Sequence, residues 1–310
     1  MRLLLTAALA AASIHVPHGF AVSVYASGLQ HPTALAFGPD RRLYVSEDTG
    51  SVVSVVRGAS RPRVLSAKLT VPLGLLWRGR DLYVSESGRV DVLTLDGHRR
   101  NVLRGLPFKE HQQDAIVAGP DGRLYLGSGT TCNACAEKDR RSGTILSFRP
   151  NGTDLRIVAT GLRNPYGLLW HGGTLYATVN GRDDLGDGEP ADTVVKVRRG
   201  ADHGWPGCWP SFATDRLVGS CAGVTPPFAY LEPHSSADGI AWWRGGLVVA
   251  EWGEYLSSKH GRVLVRVSRS GKPTTFATGF DHPLGLAVDP SGDLLVADWG
   301  RGVVYAIRKT

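Results

Sequence analysis

What this chain lacks narrows its reading first. Helical periodicity is weak along its 310 residues, apart from the N-terminal stretch, which leaves strands and turns as the material of the fold. After that stretch no segment is long and apolar enough to cross a bilayer. Basic residues are in excess, with a formal net charge of +7, yet no run of Lys or Arg exceeds three. The scattered charges read as solvated surface and give no track for nucleic acid. Cysteine is scarce, with four residues, and neither their spacing nor any acidic stretch reproduces a zinc knuckle or an EF-hand.

What is present is a phrase that recurs six times: an apolar strand, a turn, then Leu-Tyr-Val or a near copy. The second halves are Leu43-Tyr44-Val45, Leu82-Tyr83-Val84, Leu124-Tyr125-Leu126, Leu175-Tyr176-Ala177, Leu247-Val248-Val249 and Leu294-Leu295-Val296. Turn chemistry such as Gly38-Pro39-Asp40, Asp96-Gly97 and Asp121-Gly122 separates the runs. Residues 20–25, 34–37, 43–46 and 52–56 read as four short strands. A repeat of strands that closes on itself predicts an all-β, six-bladed β-propeller over residues 14–310, with strands shared between the chain's two ends at closure. The spacing between phrases widens after Tyr125 and again after Tyr176, which places insertions near residues 127–143 and 180–234. Insertions in such arrays gather on one face, often the binding face.

Residues 1–13 combine Met1-Arg2, an apolar run over 3–12 and a small residue at 13, the pattern of a secretory signal peptide, and so predict a secreted or periplasmic protein. Export gives the cysteines a meaning. Cys132, Cys135, Cys208 and Cys221 allow three pairings, of which proximity favours Cys132 with Cys135 and Cys208 with Cys221. A redox-active pair is the rival reading, but Cys132-Asn133-Ala134-Cys135 lies between strands and not at a βαβ junction.

Four constellations carry candidate chemistry. His111, in Glu110-His111-Gln112-Gln113-Asp114, stands at a strand entry, where an imidazole can act as general base or simply bond a neighbour. Arg163 and Asn164 precede Pro165, which holds the chain extended and fixes where they project; Arg163 offers a planar donor fork to an anion. The loop from Asn180 to Asp192 holds five acids among glycines, a supply of oxygen ligands for a hard cation such as calcium, or an acidic surface turn. His234, Lys259 and Arg262 add positive charge that could line an anionic ligand.

Taken together these segments resemble the soluble quinoprotein glucose/sorbosone dehydrogenase family, in its sorbosone dehydrogenase-like branch. The resemblance rests on Gly-Leu-Arg-Asn-Pro-Tyr-Gly-Leu at 161–168, Asn-Gly-Arg-Asp-Asp-Leu-Gly-Asp at 180–187, Gly204-Trp205-Pro206 with Cys208, the Cys132/Cys135 pair and Pro233-His234-Ser235. It implies a six-bladed propeller that carries pyrroloquinoline quinone and calcium and oxidises a sugar, aldosone or polyol, passing electrons to an acceptor the sequence does not name. His111 would then take the hydroxyl proton, and Arg163 would stabilise charge on the quinone oxygen. Asn164, His234, Lys259 and Arg262 would hold the cofactor, and Gly181, Arg182, Asp183 and Asp184 would supply calcium ligands, through backbone carbonyls as well as Asp183 or Asp184.

One stretch departs from the family pattern. Where relatives often carry His-Gly-Ser-Trp-Asn-Arg, this chain has Glu251-Trp252-Gly253-Glu254-Tyr255-Leu256, acids in place of a base. Two alternatives follow. One is a non-catalytic propeller that binds carbohydrate or protein at the same face. The other is a calcium-dependent lactonase, which needs Glu47, Glu86, Asn180 and Asp298 to converge on the axis.

Overall fold

The computed structural model describes residues 14–255 and 257–310; the expected signal peptide at 1–13 lies outside them. Among the described residues there is no helix, and the strands form six antiparallel sheets of four or five strands with one extra hairpin. The innermost strands, Pro32–Phe37, Gly74–Arg78, Gln113–Ala118, Leu168–His171, Ala237–Trp243 and Pro283–Val288, stand side by side in a ring about one axis. The sequence-predicted six-bladed propeller is therefore the observed fold.

The sixth blade shows how the ring closes. Its outer strand is Phe20–Ala26, which pairs antiparallel with Val303–Lys309 from the other end of the chain, Phe20 opposite Lys309 and Val24 opposite Tyr305. The two ends do share a blade.

The repeated phrase has a packing cause. A propeller blade is covered on both faces by its neighbours, so its middle strands have no solvent face and read as continuous apolar runs. Leu43–Glu47 is buried at every position, as are Leu124–Ser128 and Leu294–Asp298. The core is accordingly split into six clusters, each between successive blades. Tyr125, Ile145, Leu168, Leu175 and Val195 fill the gap between the third and fourth blades. Where the phrase begins Gly-Pro-Asp, the Asp side chain does two jobs. Asp40 accepts from the Arg42 backbone N–H at 3.2 Å and from the Tyr44 hydroxyl at 2.9 Å; Asp121 repeats both bonds with Arg123 and Tyr125. The turn and the tyrosine of each phrase are locked together by one carboxylate.

Neighbouring inner strands approach so closely that a side chain cannot be accommodated at two points. A Cβ on Gly167 would lie 2.1 Å from the Asp238 carbonyl oxygen, and one on Gly239 would lie 2.0 Å from that of Leu284.

The insertion after residue 180 folds over one rim. It holds the hairpin Cys208–Ser211/Arg216–Gly219 and a short strand, Ala201–Asp202, that adds parallel to the third blade. The disulfide Cys208–Cys221 ties the hairpin, and Cys132–Cys135 closes the loop in the third blade, so both proximity pairings form and no cysteine is free.

Candidate active site

In an up-and-down blade, the entry to the inner strand and the loop between the second and third strands open at the same end. The loops carrying His111, Arg163, Asn180–Asp192, His234 and Gly253–Ser257 therefore meet over the third, fourth and fifth blades. They line a cup with room for about 750 Å³, shared by Glu110, His111, Arg163, Asp183, His234 and Tyr255.

His111 is fixed by Thr130. Its backbone N–H donates to the Thr130 carbonyl at 3.0 Å. Its Nδ1 lies 3.2 Å from the same carbonyl and 3.1 Å from Thr130 Oγ1. The hydroxyl is already committed as a donor to the Cys132 carbonyl at 2.7 Å. Both atoms facing Nδ1 thus present lone pairs, so Nδ1 must carry the proton and Nε2 the free pair. Burial, reinforced by the Arg163 guanidinium, lowers the imidazole to about 4, and it is a neutral base at any ordinary pH.

Arg163 is almost wholly buried and held on two sides. Its Nε donates to Asn133 Oδ1 at 3.1 Å, and its terminal nitrogen pairs with Asp183 at 2.5 Å, with Glu110 at 3.7 Å. Asn133 also accepts from the Asp183 backbone N–H at 2.9 Å, and its carbonyl accepts from Trp205 Nε1 at 3.0 Å. The Cys132–Cys135 loop is thus the hub that aligns the base, the guanidinium and the acidic turn.

Asn164 donates to Asn180 Oδ1 at 2.8 Å, and Asn180 in turn donates to the Ala237 carbonyl at 3.1 Å. Asn164 Oδ1, however, is buried without a partner among the described residues, close to the Cβ of His111 across Gly129. A buried acceptor left unbonded is costly.

The five acids of the 180–192 loop do not converge. Asp183 pairs with Arg163 on the cup side. Asp184 pairs with Arg182 at 2.6 Å and does not line the cup, and Arg182 also donates to the Pro206 carbonyl at 3.0 Å. Asp187 meets Lys259 and His260. Glu189 holds the hairpin through Ser211 and the Phe212 N–H. Asp192 accepts from the N–H groups of Gly181 and Ala237 and from Ser235, and burial raises it to about 6. Of the ligands expected from this loop, the Asp183 and Asp184 carboxylates are each paired with an arginine. The backbone carbonyls of Gly181 and Arg182 accept no hydrogen bond from the described residues and are what this loop has left for a cation.

Lys259 and Arg262, expected to face an anionic cofactor, have partners within the protein. Lys259 reaches over the rim to Asp187 and is largely exposed; Arg262 donates to the Ser257 carbonyl at 2.9 Å and pairs with Asp281 at 3.5 Å, bracing the loop from behind. His234 does line the cup, with Nε2 donating to the Gly186 carbonyl at 3.0 Å. The departure at 251–256 contributes Glu254 to the cup, where five carboxylates, from Glu110, Asp183, Asp187, Asp192 and Glu254, stand against one arginine.

The protein has relatives among solved structures. The calcium structure of a Trichoderma reesei Carbohydrate-Active Enzymes Family AA12 protein superposes with a TM-score of 0.84 at 16% identity, covering 96% of this chain and 98% of that one. The holo form of the pyranose dehydrogenase PQQ domain from Coprinopsis cinerea gives 0.80 at 18% identity, over 96% and 97%. The PQQ-bound aldose sugar dehydrogenase from Streptomyces coelicolor gives 0.72 at 23% identity, over 95% and 100%. The fold is that of the PQQ-dependent sugar dehydrogenases. A family model for the NHL repeat matches residues 280–302, inside the sixth blade. An uncharacterized protein of Borreliella burgdorferi is 23% identical over 217 residues, 63% of this chain; the aligned region spans 56% of that relative's length.

Two features of this propeller escaped the sequence reading. Thr130, which sets the His111 tautomer, carries no motif of its own. An aromatic wall also closes one side of the rim: Trp252 packs on His282 at 4.3 Å and on Trp299 at 5.5 Å, while Trp299 stacks on His31 at 3.9 Å. The doublets Trp252-Gly253 and Trp299-Gly300, at equivalent strand ends of successive blades, were the available signal.

Proposed function

We propose that this protein is an exported quinoprotein dehydrogenase that oxidises a hydroxyl of a sugar, aldosone or polyol. The observation that carries the reading is the neutral, tautomer-locked His111, with Nε2 unengaged beside Arg163 and the orphaned Asn164 Oδ1. The reacting end of a quinone fits this donor set; its carboxylates find only Arg163 and His234, with cations at the Gly181 and Arg182 carbonyls as the remaining counter-charge. Pyrroloquinoline quinone, when bound, supplies the hydride acceptor.

The chain's own residues do the rest. His111 Nε2 takes the proton of the substrate hydroxyl, and Nδ1–H stays on Thr130. Arg163, already buried, offers its guanidinium to negative charge developing on the acceptor oxygen without reorganising. Asn164 orients a donor of the substrate or cofactor, and Tyr255, with the Trp252 wall, presents an apolar face suited to the carbon side of a sugar ring. The solved structures that share this fold include a pyranose and an aldose sugar dehydrogenase, which supports the substrate class.

The acid excess of the cup favours a second reading, a non-catalytic propeller that binds a polyhydroxylated ligand. The lactonase reading is disfavoured. Glu47 accepts from the Gln30 N–H at 2.8 Å and Glu86 from the Thr70 N–H at 2.6 Å. Asp298 accepts from the Asp281 and His282 N–H groups. All three are spent bracing the loops between blades. Reconstitution decides between the first two: the purified protein, given calcium and pyrroloquinoline quinone at micromolar concentration, should reduce an artificial dye with aldoses or polyols. Cofactor uptake without turnover on any sugar, or no uptake at all, sinks the dehydrogenase reading.

A further inference from the structure

At or just before the start of each innermost strand the equivalent position holds Thr33, Leu73, Asp114, Tyr166, Asp238 or Leu284, of which Thr33, Leu73 and Tyr166 line the axial channel. Four of these sit at the same irregularity. The pairing of inner and second strands slips between Pro32 and Leu35, Gln113 and Ile116, Ala237 and Ile240, and Pro283 and Leu286. A bulge re-aims the side chain it carries. In the first and sixth blades the slipped position carries a threonine and a leucine; in the third and fifth it carries two carboxylates.

Those carboxylates are in an unusual position. Asp114 is fully buried, and neither of its oxygens has a hydrogen-bond partner among the described residues; the nearby Gln112 amide offsets little of the burial. Asp238 is buried as well, accepting only from Asn180 at 3.3 Å and Ser236 at 3.2 Å. Between them stands Tyr166, whose ring borders the axial channel and whose hydroxyl is buried without a partner. The three feel one another electrostatically: the charge of Asp238 bears on Asp114, and both bear on the Tyr166 hydroxyl. Among the described residues no arginine, lysine or histidine is bonded to any of them. Two desolvated carboxylates that share a site with no cation of the protein are each penalised by several kcal/mol if ionised.

We infer that the axial ring binds a hard divalent cation, calcium by its all-oxygen donor set: the two Asp114 oxygens, Asp238, the Tyr166 hydroxyl and waters of the channel. This site is separate from the cup. It does not depend on the dehydrogenase reading, because none of its ligands is a residue assigned a role there.

The test uses the whole protein, free of quinone, stripped with a chelator, dialysed against calcium and desalted. Metal content should be about one tightly held calcium per chain in the wild type and in Asp183→Asn, and near zero in Asp114→Asn. Calcium should raise the wild-type Tm by about 5 °C at a hundredfold excess over its Kd and leave Asp114→Asn unmoved. If Asp114→Asn does not fold, Tyr166→Phe serves instead, with an expected loss of calcium affinity of about tenfold or more. A wild type that retains no calcium and shows no calcium-dependent Tm overturns the inference, as does a folded Asp114→Asn or Tyr166→Phe that binds as the wild type does. In those cases the carboxyls are held as acids that share protons.

Discussion

The lowered basicity of His111 gives a prediction that can be followed in detail. Moving an imidazole from its usual 6.5 to about 4 corresponds to roughly 3 kcal/mol against the charged form. Burial contributes most, and Arg163 is the second cause. The acid limb of kcat/KM should therefore lie near pH 4, well below that of an ordinary histidine. Replacing Arg163 with leucine removes the positive neighbour and leaves Asp183 and Glu110 uncompensated beside the ring, and both changes favour protonation. An adjacent charge is worth about one to three units, so with burial intact the midpoint should rise by about one. The shift can be read in the residual activity. It can also be read without turnover, from the imidazole Cε1–H resonance assigned by its loss in His111→Asn. A wild-type limb at pH 6–7, or a midpoint that ignores the removal of Arg163, would refute the account of how this base is tuned.

Three further outcomes follow from the same geometry. Thr130→Val should lower kcat by about 10-fold at most with little change in KM, because Nδ1 loses the Oγ1 acceptor and keeps only the backbone carbonyl, and Thr130→Ser should restore most of it. His111 and His203 both stay neutral when folded, each lowered to about 4 chiefly by burial. Their contribution is complete above pH 6.5 and is lost as pH falls from there toward 4. Asp192, raised to about 6, and Asp114, Asp238 and Glu251, also raised by burial, work in the opposite sense, so the readout is a difference: in urea, the change from pH 7 to 4.5 should be less destabilising in His203→Asn than in the wild type. Gly239→Ala should cost about 3 kcal/mol or more in denaturant melts, since its Cβ would collide with the Leu284 carbonyl, whereas Gly188→Ala meets nothing within 4 Å and should be nearly silent.

The ring was legible because its cause is repeated. Each blade needs the same buried middle strand and the same turn, and six copies of one phrase announce both. The insertions were legible as irregular spacing. The direction of individual side chains was not. Asp183 and Asp184 are adjacent in the chain, yet one faces the cup and its neighbour pairs with Arg182 outside it, a choice made by the path of a loop pinned by Asn133. Lys259 and Arg262 satisfied a requirement for positive charge on paper, but nearby acids and carbonyls claimed them first. Asp114 was written beside His111 and read as part of the same motif. The slip in strand pairing separates the two: His111 lines the cup and Asp114 is wholly buried away from it.

The closure of the sixth blade has a consequence for the topology of the chain itself. Because Phe20–Ala26 is held by Val303–Lys309 and not by the strand that follows it in sequence, the circle contains no privileged starting point. A permuted gene that joins the two present ends and opens at the exposed tip between Arg78 and Asp81 would ask the same six wedges to assemble in a different order. The seam would then fall in the second wedge, far from the acidic rim.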